Sequence, residues 1–182
     1  MALKATIFKA DLQIADMDRH YYASHALTIA QHPSETDERM MVRLMAFAHR
    51  AHEHLVFARG LSEADEPDLW QKDLTGDIEQ WVDVGLPDER RILKASGRAR
   101  HVTIYAYGGR AAALWWSAIS PKLARLKNVT VINLSTTVTQ ALAKLTRRNM
   151  QLGCTIEDGA LWLNGESESV QVVMDVLQAA AG

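Results

Sequence analysis

The order of helical and extended segments constrains the fold of this chain more than any other feature of its sequence. The middle of the chain is predicted as a β-hairpin followed by alternating helices and strands. The predicted strands are residues 68–72, 78–84, 101–107 and 128–134, and the predicted helices are residues 87–96, 110–120 and 135–145. This order is typical of a mixed α/β protein, with a central mixed β-sheet flanked by helices.

Both ends of the chain are predicted to add antiparallel strands to that sheet. Residues 5–14 alternate loosely between two faces, and residues 21–30 are predicted to pair with them as an N-terminal hairpin. Residues 150–156, 161–163 and 170–176 are predicted as a C-terminal β meander, although the last segment fits a helix equally well. A long helix is predicted to begin at Ser34, where Asp37 completes a capping box, and its apolar spacing continues through Leu55.

Length and composition predict one ordinary globular domain over residues 1–182. The chain is 48% hydrophobic and 23% charged, and no linker rich in Pro, Gly or Ser divides it. The formal net charge of −2 excludes a globally basic nucleic-acid coat but leaves room for a local basic groove. The sequence also lacks a phosphate-binding loop, a dinucleotide fingerprint and a nucleophile elbow.

Several features predict a cytoplasmic protein without a membrane partner. Cys154 is the single cysteine, so no internal disulfide forms and a reducing compartment fits best. The longest apolar stretch, residues 111–119, is too short to span a bilayer. Residues 1–10 contain two lysines and lack the apolar core of a signal peptide.

An acidic strand is the clearest candidate for chemistry. Glu79 and Asp83 fall on one face of the predicted strand 78–84, together with Asp77 just before it, since side chains alternate along a strand. Carboxylates that share a face repel one another unless a cation neutralises them, and their oxygens suit Mg²⁺ or Mn²⁺. A solvated strand face is the simpler alternative.

A basic helix follows the acidic strand. Arg90, Lys94 and Arg98 recur at every fourth residue and form a cationic stripe, with Arg91 beside it. Next to a bound metal, such a cation can stabilise the charge that develops on a scissile phosphate, and the stripe can also bind nucleic acid. Ion pairing on a solvated helix face is the alternative.

Six segments resemble the YaeQ family of bacterial proteins, and the match covers essentially the whole chain. They are MALKATI at residues 1–7, HPSETDERMM at 32–41, RGLS with DEPDLW at 59–62 and 65–70, GLPDERRILKA at 85–95, and RAAALWW at 110–116. That family is similar to the PD-(D/E)XK superfamily, the fold of many restriction endonucleases. The resemblance therefore implies a restriction-endonuclease-like core, with the N-terminal hairpin and the C-terminal meander as extra elements.

The resemblance also implies a set of site residues. The superfamily places one acid on a first helix, one on a middle strand and an acid-x-lysine on the next strand. Glu38, or Glu35, matches the helix acid. Glu79 and Asp83 match the strand acids, and Asp68 is an alternative first strand acid because it follows Pro67.

The expected lysine is missing from this pattern. Gly85 stands two residues after Asp83, where the superfamily has its lysine. Lys94 on the following helix is the expected replacement, and Arg90 or Arg91 are the alternatives.

Two functions from different classes follow. The first is a Mg²⁺-dependent nucleic-acid phosphodiesterase, in which Glu79 and Asp83 hold the metal and Lys94 stabilises the phosphate. The second is a non-catalytic module that kept the nuclease fold and binds nucleic acid or a protein, in keeping with the family's loose link to transcription. Convergence of Glu79, Asp83 and Lys94 in one cleft would distinguish the two.

Overall fold

The computed structural model describes residues 4–181, which form two mixed β-sheets and four α-helices. The strands are β1 (Thr6–Asp16), β2 (Tyr21–Gln31), β3 (Leu55–Phe57), β4 (Leu69–Lys72), β5 (Ile78–Val84), β6 (Ala99–Tyr107), β7 (Val129–Leu134), β8 (Asn149–Glu157), β9 (Ala160–Asn164), β10 (Ser169–Val172) and β11 (Asp175–Gln178). The helices are α1 (Asp37–Arg50), α2 (Glu89–Arg98), α3 (Arg110–Leu123) and α4 (Thr136–Ala143). The expected mixed class of helices and strands is confirmed.

The chain divides into two compact units. The first contains the residues up to His49 and Thr137–Val173, and the second contains Arg50–Thr136 and the residues from Met174 onward. The prediction of a single domain over residues 1–182 stays a prediction. Residues 1–3 lie outside the described residues. They belong both to the segment that lacks a signal-peptide core and to the family motif at residues 1–7. Within residues 4–181, no helix is long and apolar enough to cross a membrane.

The first unit contains a five-stranded sheet in the order β10-β9-β8-β1-β2. The predicted N-terminal hairpin is confirmed, because β1 pairs antiparallel with β2 over eleven residues. β1 also pairs parallel with β8, from Lys9 opposite Asn149 to Asp16 opposite Ile156. The hairpin and the first strands of the meander therefore form a sheet of their own. Side chains alternate along β1, so that one face is buried and the other is exposed.

Helix α1 begins later and ends earlier than its sequence pattern predicts. Thr36 Oγ1 accepts the backbone N–H of Arg39 at 3.1 Å, so Thr36 caps the helix, and the predicted capping box at Ser34 is wrong. The helix ends at Arg50, and Leu55 lies in strand β3. Nine consecutive residues, Met40–Ala48, are buried, and all of them except Arg43 are apolar.

The second unit contains a six-stranded sheet in the order β11-β7-β6-β5-β4-β3. The predicted hairpin of β4 and β5 is confirmed, and β5, β6 and β7 run parallel, with α2 and α3 as their connections. Both helices pack on one sheet face, around a core that includes Trp81, Ile92 and Ile119. Pro121, predicted to stop α3, lies in its last turn, where Ala124 still donates to the carbonyl of Ser120 at 3.1 Å. The segment predicted as residues 170–176 is split between β10 and β11, which belong to different sheets.

Candidate functional site

Two acids lie opposite each other at one end of the β4–β5 hairpin. Leu69 pairs with Val82, and continuing this register by one residue places Asp68 opposite Asp83. Opposite residues of an antiparallel pair present their side chains on the same face. Each of the two aspartates is 3% exposed, and the backbone N–H of Val84 donates to Asp68 Oδ2 at 2.8 Å. The acids that the resemblance assigns to neighbouring strands are therefore adjacent and buried.

Arg91 on helix α2 neutralises one of these acids. Its Nε lies 2.8 Å from Asp83 Oδ2 and its Nη2 lies 3.0 Å from Asp83 Oδ1, a bidentate pair. The same guanidinium donates to the carbonyls of Ala64, at 2.8 Å, and Glu66, at 2.9 Å. Asp88 caps α2 by accepting the backbone N–H of Arg91 at 2.8 Å, which fixes where the helix presents this side chain. Of the three cations expected near the strand acids, Arg91 is the one that contacts Asp83.

Gly85 has a backbone conformation that excludes a lysine at low energy. Its φ is +111°, in the region that residues with a Cβ rarely adopt. This conformation turns the chain from β5 toward α2. In this chain, the position at which the superfamily has its lysine is therefore occupied by a glycine that the turn between β5 and α2 requires.

Lys94 and Arg98 contact the segment before β4. Lys94 pairs with Asp65, and Arg98 Nη1 donates to the backbone carbonyl of Asp65 at 2.9 Å. The hydrogen bond from Lys94, assisted by its charge, holds the pKa of Asp65 below its ordinary value. Lys94 is thus paired within the same unit, away from Asp83, whereas Arg90 is exposed.

The same segment covers Asp68. Gly60 has a φ of +48°, and a Cβ added to it would lie 2.6 Å from Asp68 Oδ1. Arg59 pairs with Glu66, and this hydrogen bond lowers the pKa of the Glu66 carboxyl. We name residues 59–66 the cover segment, because its members contact Asp68 and the cations of α2.

Glu79 shares a strand face with Asp83 but does not approach it. The two residues are four positions apart, which is about 13 Å along a strand. Trp81 lies between them, 2% exposed, with the guanidinium carbons of Arg91 and Arg98 at 5.8 and 5.2 Å from its ring centroid. Glu79 accepts a hydrogen bond from Arg100 at 3.0 Å instead. Glu79, Asp83 and Lys94 therefore do not converge in one cleft.

The two acids predicted for the first helix belong to the first unit, and Glu35 lies before the start of α1 rather than in it. Glu38 Oε2 accepts a hydrogen bond from Thr139 Oγ1 at 3.0 Å. Glu35 is buried and pairs with Arg39 at 2.7 Å and with Arg43 at 2.6 Å. Both carboxylates thus have partners inside that unit.

As folded, the donor set around Asp68 and Asp83 does not fit Mg²⁺. Among residues 4–181, no three His, Cys, Asp or Glu side chains are grouped to hold a metal ion. A cation that reached Asp83 would have to displace Arg91 from a side chain that is only 4% exposed. Magnesium or manganese binding at Glu38, Asp68, Glu79 and Asp83 stays a prediction, and we derive no reaction step through a metal.

Comparison with protein families identifies the chain. The family model described as "YaeQ protein" matches residues 1–174. The chain belongs to the YaeQ family. The "Uncharacterized protein YaeQ" of Salmonella typhi is 44% identical over 178 residues, and that of Escherichia coli strain K12 is 42% identical over 178 residues. Both alignments cover 98% of this chain and 98% of the relative.

Two solved YaeQ structures share the fold. The YaeQ protein from Xanthomonas axonopodis pv. citri superposes with a TM-score of 0.93 at 49% identity, covering 96% of this chain and 99% of that chain. The YaeQ protein from Pseudomonas syringae superposes with a TM-score of 0.93 at 36% identity, covering 98% of each chain. These matches extend the YaeQ identification from sequence to architecture.

The sequence analysis missed two residues that shape this part of the YaeQ fold. Asp65 pairs with Lys94, and Gly60 packs against Asp68. The three acids at residues 63, 65 and 66 were a signal for partners of the α2 cations, because they lie just before the β4–β5 hairpin and α2 comes directly after that hairpin. No local pattern indicates the packing of Gly60, which depends on the tertiary position of Asp68.

Proposed function

We propose that this protein is a non-catalytic module that keeps a nuclease-like architecture and binds a protein partner. The observation that carries the proposal is the bidentate pairing of Arg91 with Asp83. A carboxylate that is nearly inaccessible and holds a guanidinium on both oxygens is poorly suited to recruit a metal or a scissile phosphate. Fold likeness to nucleases does not supply an activity by itself.

The cationic stripe supports a protein partner over nucleic acid. Binding to nucleic acid is dominated by contacts of basic side chains with phosphates. All three stripe residues are exposed, but Lys94 and Arg98 already contact Asp65. The net charge of −2 adds no long-range attraction for a polyanion.

Helix α3 offers the surface for such a partner. Ala111, Leu114 and Ala118 recur at helical spacing and are exposed, with Leu114 61% exposed. The helix has no charged residue between Arg110 and Lys122. A surface helix ordinarily turns polar side chains to water, so an outward apolar face is typical of a docking surface for another helix.

A photo-crosslinking amino acid at position 114, expressed in cells, tests this proposal. We expect discrete protein adducts at position 114 and none at position 74, because Leu74 is 98% exposed but lies in the turn between β4 and β5. Adducts to RNA or DNA would favour the nucleic-acid alternative. Cleavage of nucleic acid by the purified protein that requires Mg²⁺ or Mn²⁺ and is lost in Asp83→Asn would overturn the proposal.

A further inference from the structure

The five-stranded sheet of the first unit has one face that its own helices and strands leave exposed. The outward positions alternate with buried ones along β1, and with half-buried or buried ones along β2. The outward side chains are mostly small, hydroxyl-bearing or amide-bearing: Ile7, Lys9, Asp11, Gln13 and Ala15 on β1; Tyr22, Ser24, Ala26, Thr28 and Ala30 on β2; and Asn149, Gln151, Gly153, Thr155 and Glu157 on β8. Soluble antiparallel sheets commonly turn charged residues to water, and this face has few.

Large apolar side chains stand on this face. Ile7 is 43% exposed, Tyr22 is 62% exposed, and Trp162 on β9 is 41% exposed. Trp162 pairs with Thr155, which pairs with Ala15, and Ala15 pairs with Tyr22, so the two aromatic residues flank a floor of small side chains. Ile7 lies at the other end of β1, so exposed apolar side chains stand at both ends of the face, as is typical of an interaction surface.

Two shallow depressions lie along the face. One, of about 600 Å³, is lined by residues that include Gln13, Ser24 and Gly153. The other, of about 280 Å³, is lined by residues that include Lys9 and Asp11. The two follow one another along β1, so the face is concave where its side chains are smallest.

We propose that this face binds the same face of a second copy of the chain, around a twofold axis near residue 10 of β1. In a twofold interface the same patch must complement itself. An antiparallel arrangement of the two β1 strands places Lys9 of each copy opposite Asp11 of the other. It also places Ile7 opposite Gln13, at the larger depression, where an apolar side chain finds space.

The extent of the face matches what a dimer requires. With strands about 4.8 Å apart and about 3.3 Å of rise per residue, five strands and the length of β1 span roughly 19 Å by 36 Å. Because the outer strands are shorter, the flat area of the face is about 600 Å², to which the side chains add surface. This area is close to the roughly 800 Å² that each partner of a stable complex buries.

The charges of the face fit a second copy better than a polyanion. In the three-stranded part formed by β1, β2 and β8, Lys9 is the one outward base, against Asp11 and Glu157. Asp11 also accepts a hydrogen bond from Gln151 at 2.8 Å, which holds its carboxylate in place for a cation from the other copy. A nucleic acid would find two acids and one base here.

Sedimentation velocity over a range of protein concentrations tests the proposal. The wild type should form a concentration-dependent dimer. Ile7→Lys should weaken it at least about tenfold, as expected when a charge is buried without a partner. Leu74→Lys, an exposed position in the second unit, should leave the dimer unchanged, and circular dichroism of both variants checks that they fold.

A charge exchange gives the sharper result. Lys9→Asp and Asp11→Lys should each weaken the dimer, and the double variant should restore it, because each copy then presents the same pair with exchanged signs. A wild type that is monomeric at every concentration, or a dimer that Ile7→Lys and the single charge changes leave intact, would overturn the proposal. Helix α3 belongs to the other unit, so this outcome is independent of the proposed function.

Discussion

Arg91 binds both carboxylate oxygens of Asp83, a residue eight positions earlier in the chain, at 2.8 and 3.0 Å. The pair joins the start of helix α2 to strand β5, the strand that precedes it. Through the carbonyls of Ala64 and Glu66 the same guanidinium also holds the cover segment in place. One side chain therefore fixes three parts of the second unit around an acid that the fold has removed from water.

Arg91→Ala should destabilise the protein by about 3 kcal/mol, because removal of one partner leaves the charge of Asp83 buried and unpaired. Arg91 is itself 29% exposed, so the loss should lie at the lower end of the range for buried pairs. Urea denaturation provides the measurement. Arg90→Ala is the matched control on the same helix and should change stability by less than about 0.5 kcal/mol.

A double-mutant cycle separates the pair from the rest of the contacts that Arg91 makes. Asp83→Asn keeps the shape of the side chain and removes its charge, so Arg91→Ala should cost less in that background. Equal costs in the two backgrounds would mean that the two carbonyl contacts, and not the ion pair, carry the stabilisation.

The contact of Arg91 with the strand acids could have been predicted from the sequence, although the i, i+4 spacing rule grouped other residues. The i, i+4 rule grouped Arg90, Lys94 and Arg98, but it does not say which helix face meets the sheet. Ile92 and Ala95 are the buried residues of α2, and Arg91 lies one turn before Ala95. The apolar positions of the helix thus indicate which cation faces the strand acids.

Lys94→Ala should raise the pKa of Asp65 toward its ordinary value, since the hydrogen bond from Lys94 is the main cause of the depressed pKa. Titration followed by NMR of the carboxyl carbon measures the change. Arg90→Ala should leave the Asp65 titration unchanged. A normal Asp65 titration in the wild type would show that Lys94 is available for another partner, including a phosphate.

Gly60→Ala should destabilise the protein more than Gly76→Ala. Both glycines have positive φ, which costs an alanine about 1–2 kcal/mol. A Cβ at residue 76 meets open space, whereas a Cβ at residue 60 would lie 2.6 Å from Asp68 Oδ1. The clash should add roughly 1–3 kcal/mol, the usual cost of overpacking. Equal losses in thermal denaturation would mean that the cover segment moves away from Asp68 without cost.

The limits of local patterns explain where the fold departed from expectation. The hairpins β1–β2 and β4–β5 join neighbouring segments, so alternation and turn residues were enough to predict them. The parallel pairing of β1 with β8 joins residues about 140 positions apart, such as Lys9 and Asn149. Strand periodicity does not encode which distant strand is the neighbour, so one central sheet was expected where two are found.

Cys154 should make the protein less stable above pH 9. Burial raises the pKa of its thiol from 9.0 to about 12. Because the folded pKa is the higher one, the thiol's contribution is complete below pH 9 and is lost as the pH rises toward 12, at up to about 1.4 kcal/mol per pH unit. Urea denaturation across this range should show a steeper decline for the wild type than for Cys154→Ala. Parallel declines would mean that other groups account for the alkaline loss.

A metal ion and the guanidinium of Arg91 would compete for the same carboxylate, that of Asp83. If the pair persists in solution, Mg²⁺ and Mn²⁺ should leave the melting temperature of the wild type unchanged, because a ligand stabilises a protein only when it binds the folded state. Arg91→Ala releases Asp83 beside Asp68, so the variant should gain a melting-temperature increase with Mn²⁺ that Arg91→Ala/Asp83→Asn lacks. Calorimetry of the three proteins with and without the cations makes the comparison. A metal-dependent increase in the wild type that Asp83→Asn abolishes would show that a cation displaces Arg91, and it would restore the phosphodiesterase hypothesis.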